Sequence, residues 1–182
     1  SVEVLDPAVY AHSDVGNSRF VRRLTVEEYI ETVRATLGVD ISKEARKALP
    51  PDLRADGFRN TAYNLNVDLK HVRAYAGLSR TIVGRMDVLK FARRFSRAKS
   101  LNTDATARRF ISALGKWILR GPLSDREVTN YSGIATTVAS AGGTYKEGVT
   151  YIVEAMIQSP RFIYLIENQK GDGTAWPVGP YE

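Results

Sequence analysis

The chain has 182 residues, 43% of them hydrophobic and 25% charged, which suffices for one sizeable core or two small ones and excludes a disordered polymer. It has no cysteine, which excludes disulfides, thiolate metal sites and a haem attached covalently through Cys-x-x-Cys-His. The net charge of +6 is uneven: thirteen Lys and Arg but only Asp87 and Asp104 lie between Lys70 and Arg120, giving that stretch +11 while both flanks are slightly acidic.

No apolar run approaches bilayer-spanning length, and Ser1-Val2-Glu3-Val4 lacks the pattern of a signal peptide. Residues 1–21 show no sustained period, so an extended N-terminal arm is expected. Thr25 and Glu28 then form a capping box, Val26, Tyr29, Ile30, Val33 and Leu37 recur at helical spacing, and Gly38 closes that helix. Ser42 to Ala48 reads as a short helix. The stretch from Leu49 to Leu65 reads as a long irregular connection rich in Pro, Gly, Asp and Asn. Asp52 and Asp56 there could share a cation, but two carboxylates make a sparse ligand set, and no metal site is assigned.

From Asp68 to Met86 the spacing predicts a helix with Leu69, Val72, Tyr75, Ala76, Ile82, Val83 and Met86 on its apolar side. His71 lies between its faces and, with His12 as its only histidine partner in the chain, reads as structural or solvated. Val88 to Lys99 is expected to form a short basic helix with Phe91 and Phe95 on one face. Asn102-Thr103-Asp104 is expected to cap the next helix, with Ala107, Phe110, Ile111, Leu114, Trp117 and Ile118 as its core stripe. Capping boxes at Ser124 with Glu127 and at Thr144 with Glu147 start two further helices, the second running through Val149, Ile152, Val153, Met156 and Ile157 as its apolar positions and ending at Ser159-Pro160. Such short breaks predict an antiparallel three-helix unit. Arg161 to Ile166 is rich in strand formers, and Trp176-Pro177-Val178-Gly179-Pro180-Tyr181 reads as a linker with aromatic anchors.

Three ordered runs in the C-terminal half are Gly121-Pro122-Leu123-Ser124-Asp125-Arg126-Glu127-Val128, Tyr145-Lys146-Glu147-Gly148-Val149 and Ile157-Gln158-Ser159-Pro160-Arg161-Phe162-Ile163-Tyr164. Upstream, Arg22-Arg23-Leu24-Thr25-Val26-Glu27-Glu28-Tyr29 leads to Leu37-Gly38-Val39-Asp40, Leu49-Pro50-Pro51-Asp52 and Ala55-Asp56-Gly57-Phe58. This pattern resembles planctomycete-type helical domains of unknown function, found in large exported proteins that also carry c-type cytochrome modules. The resemblance implies a periplasmic or extracellular setting, a signal and further domains outside this stretch, and haem on neighbouring domains or chains.

The expected fold is all-α: an N-terminal arm, helix and long loop over 1–66, a basic helical bundle over 67–167 and a linker over 168–182. The sequence holds no P-loop, dinucleotide fingerprint, His-Glu-x-x-His or Gly-x-Ser-x-Gly motif, so no catalytic or metal-binding residue is assigned. The leading expectation is a non-catalytic assembly module of an exported, cytochrome-associated protein. Its candidate partner-binding residues are Arg93, Arg94, Arg108 and Arg109, facing an acidic surface, with Trp176 and Tyr181 as anchors. The alternatives are a nucleic-acid-binding protein using the Lys70–Arg120 block, and part of a polysaccharide- or redox-active enzyme.

Overall fold

Side-chain caps start most of the longer helices of the computed structural model, which describes residues 17–52, 68–100 and 105–170. Helix α1 (Val26–Leu37) starts where the Thr25 hydroxyl accepts the Glu28 N–H and the Glu28 carboxylate accepts the Thr25 N–H. It ends on Gly38 at φ 71°, a left-handed position that glycine occupies without a Cβ penalty. The short α2 (Ser42–Ala48) follows, and α3 (Leu69–Arg85) begins with a reciprocal pair of its own, Asp68 with His71. After α4 (Val88–Ala92) come α5 (Ala105–Ile118), α6 (Asp125–Ser140) and α7 (Tyr145–Ile157). The boxes Ser124 with Glu127 and Thr144 with Glu147 start α6 and α7 as expected. The connections flanking α6 are a few residues each, so α5, α6 and α7 pack as an antiparallel unit. Gly115 lets the chain fold back at the first of these connections, because a Cβ there would stand 2.4 Å from Leu123 Cδ1.

The fold is all-α apart from one ribbon. Strand β1 (Asn17–Arg23) pairs antiparallel with β2 (Tyr164–Lys170), in a register from Asn17 opposite Lys170 to Arg23 opposite Tyr164. The ladder runs on into the helical body through the Leu24 N–H, which donates to Ile163 O at 2.8 Å. Pro160 ends α7 as expected but also opens a one-turn helix, α8 (Pro160–Ile163), since its fixed φ suits a first turn and its missing N–H is not needed there. Of the run Arg161–Ile166, rich in strand formers, the first three residues are therefore helical and the strand starts at Tyr164.

One hydrophobic core runs from Leu24 to Ile163. At its centre the Tyr29 ring of α1 meets Tyr75 of α3 edge-on at 5.1 Å and Phe162 of α8 at 6.0 Å. Every expected core position of α1 and α7 is buried. On α3 the buried line is His71, Tyr75, Leu78, Ile82 and Val83, while Leu69 and Val72 are 63% and 53% exposed. The cap explains the turn of this face, because holding Asp68 draws His71 inward at 6.5 Å from the Tyr75 ring. On α5, Trp117 leaves the expected stripe and is 43% exposed; it precedes the fully buried Ile118 by about 100° of helical rotation. Helix α4 stops at Ala92 rather than Lys99, as the backbone tightens into Arg94 N–H to Phe91 O and Phe95 N–H to Ala92 O bonds. No helix among the described residues is long and apolar enough to cross a membrane.

Candidate interaction surface

Several arginines of this fold are paired with carboxylates. Arg22 forks onto Glu28 at 2.6 and 2.8 Å, Arg46 onto Glu27 at 2.8 and 2.8 Å, and Arg85 holds Glu44 together with Asp40 O. Arg161 binds Glu127 at 2.8 Å and Pro122 O at 3.1 Å. Burial opposes ionisation of Glu28 and of Glu127, but the guanidinium and the backbone N–H facing each carboxylate outweigh it, and both pKa values lie below the ordinary value.

Arg93, Arg94, Arg108 and Arg109 are not paired in this way, and neither are Arg73, Arg80, Arg97 and Arg126. Among the described residues no carboxylate lies within ion-pair distance of any of them. Arg93, Arg94 and Arg109 are exposed, and Arg108 is half-buried with Nη1 donating to Thr129 Oγ1 at 3.3 Å. The Arg94 guanidinium carbon lies 4.6 Å from the Trp117 ring centre, 5.4 Å from Phe91 and 5.6 Å from Phe95. These aromatic faces hold the cation in place by cation–π attraction without using its N–H groups. The Trp117 indole N–H donates to Thr36 O at 2.8 Å, tying α5 to the end of α1.

Two hollows flank this face. One, of about 490 Å³, is lined by Ala35, Thr36, Phe95, Trp117 and Arg120; the other, of about 430 Å³, is lined by Arg108, Arg109, Ser112, Leu123, Asp125 and Val128. Ala113 and Lys116 border both, so the hollows adjoin as a groove along α5, mainly apolar at the Trp117 end and carrying Arg108 and Arg109 with Asp125 at the other. The structure thus brings Arg94 onto α5 beside Trp117 and sets Arg108 and Arg109 about two turns away. Trp176 and Tyr181 lie outside the described residues. Trp117 was missed as a surface residue; the signal that could have found it is its place at the margin of the apolar stripe, next to Lys116.

A second polar centre, unforeseen in the sequence, is interior. Arg23 is 1% exposed and bonds Asp52 Oδ1 at 2.9 Å and Leu24 O at 3.0 Å, while Asp52 Oδ2 accepts the Val26 N–H at 2.7 Å. Both Asp52 oxygens are therefore engaged within the chain, not left open for the cation considered above; Asp56 lies outside the described residues. Arg23 Nε, Tyr29 OH and His71 Nε2 are also buried, with no hydrogen-bond partner among the described residues, and Tyr75 OH lies near Arg23. Burial raises the pKa values of both phenols. No group of three or more His, Asp or Glu among the described residues could hold a metal.

Two family models match the chain, and each is described as a protein of unknown function. One (DUF1587) matches residues 22–88 and the other (DUF1595) residues 106–167. The chain carries both planctomycete-type domains. No curated protein and no solved structure matches it. The DUF1587 segment holds α1 to α3 and the buried Arg23–Asp52 pair; the DUF1595 segment holds α5 to α8. Their side chains share one core, and Arg93 and Arg94 lie between the two matched segments.

Proposed function

We propose that this chain is a non-catalytic helical docking module that presents the α4–α5 face to an acidic surface of a neighbouring domain or chain. The observation that supports this reading is the contrast among its arginines: those around α1, α2 and α8 are neutralised within the fold, whereas Arg93, Arg94, Arg108 and Arg109 have no such partner beside a half-exposed tryptophan. Aromatic anchors with a charged rim are the usual composition of protein interfaces. The parent assembly, on the family setting that the resemblance implies, is exported, works in the periplasm or outside the cell, and carries c-type haem on other domains or chains.

A photo-crosslinking residue at Ser112, in the hollow lined by Arg108 and Arg109, tests the docking reading in the parent assembly. The expected product is a crosslink to a segment rich in Asp and Glu. A crosslink to nucleic acid, or to a basic surface, overturns it.

A further inference from the structure

We infer that the α5 groove selects an acidic protein segment carrying one bulky apolar side chain, which enters the Trp117 hollow while carboxylates bind Arg94 on one side and Arg108 with Arg109 on the other. This deepens the docking reading and rests on it. The two ends of the groove differ in chemistry: Ala35, Phe95 and Trp117 make an apolar wall, whereas Arg108 and Arg109 line the far end. A purely electrostatic acceptor has no use for the first, and a purely apolar one leaves the second unpaired.

Arg94 makes the bracket specific. Its guanidinium carbon lies 4.6 Å from the Trp117 ring centre with Phe91 and Phe95 nearby, so cation–π attraction narrows its positions before any partner arrives and lessens the rotamer entropy lost on binding. Its N–H groups stay available for a carboxylate, which a guanidinium can take with two parallel N–H···O bonds. The Trp117 ring is held in turn by its bond to Thr36 O. Trp117 and Arg109 are eight residues apart on α5, roughly 12 Å along the axis. The matching ligand is therefore a helix with anchor and distal acid about two turns apart, or an extended segment with them about four residues apart.

The probes are labelled peptides of equal net charge, measured by anisotropy at about 0.15 M salt, where long-range attraction is largely screened. One carries Leu as anchor with Glu at the bracketing positions, one has Ser in place of Leu, and one is poly-glutamate; a single-stranded DNA of matched charge is the fourth. The tryptophan indole N–H signals of the intact chain are followed by NMR, with Trp117→Phe assigning the Trp117 signal. The anchored peptide is expected to bind about tenfold more tightly than poly-glutamate and to shift the Trp117 signal. Trp117→Ala should abolish the difference between the peptides while poly-glutamate binding persists, and a double Arg108→Glu, Arg109→Glu variant should weaken both. Equal binding of anchored peptide and poly-glutamate with a static Trp117 signal overturns the anchored groove and leaves the acidic-surface reading standing. Failure of every acidic peptide overturns both, and tightest binding by DNA replaces both with nucleic-acid recognition.

Discussion

Arg23 and Arg94 are the same residue type put to opposite uses in two regions of one fold. Around α1, Arg23 is withdrawn from water, joined to Asp52 and a backbone carbonyl, and set beside Tyr75. Along α4 and α5, Arg94 is exposed, lies within cation–π distance of three rings and meets no carboxylate among the described residues. A buried charge must be paired or it costs several kcal/mol, so the first region spends its charges on holding the fold. An exposed cation costs little to leave unpaired, so the second region can keep its charges for a partner. Substitutions of the same kind should therefore have different consequences in the two places.

The largest effect is expected at the buried pair. Arg23→Met should lower unfolding free energy by about 3 to 5 kcal/mol in denaturant titrations, because it leaves Asp52 buried without its counter-charge. The double variant Arg23→Met, Asp52→Leu should lose less than the single one; equal or greater loss would show that the pair's charge is not what matters there. Trp117 sits between the regions. Its exposure and its single bond to Thr36 predict a loss of about 1 to 2 kcal/mol for Trp117→Ala, below the roughly 3 to 5 kcal/mol of a core aromatic.

Acid should separate the regions without any mutation. The folded pKa values of Glu28 and Glu127 lie below their ordinary value, so their stabilisation is present above the ordinary carboxylate range and is lost as pH falls through the folded values. The thermal midpoint should drop across that acid range, and Glu28→Gln should flatten the profile; an unchanged slope would remove Glu28 from the account. The smallest expected effect is at Arg109. Arg109→Ala should change stability by less than about 0.5 kcal/mol, yet weaken binding to poly-glutamate and reduce its salt dependence. A large stability loss there would erase the contrast between the regions.

What the sequence determined by itself was local. The boxes at Thr25, Ser124 and Thr144, the left-handed Gly38 and the core stripes of α1 and α7 were legible because each depends on residues three or four apart, and that chemistry is complete before any packing. The run of unopposed basic residues before Arg120 was legible as well, since charge is counted without geometry. Tertiary structure decided the rest. The pairing of Asn17–Arg23 with Tyr164–Lys170 joins opposite ends of the described chain, and no local period announces it. Which arginines are neutralised was equally invisible, because Arg23 finds Asp52, Arg46 finds Glu27 and Arg85 finds Glu44 only after α1, α2 and α3 have packed. The outward turn of Trp117 has the same origin: periodicity places a residue on a helix to within a fraction of a turn, but the neighbours met across it, here Thr36 and Arg94, decide whether the ring at the margin faces the core or water.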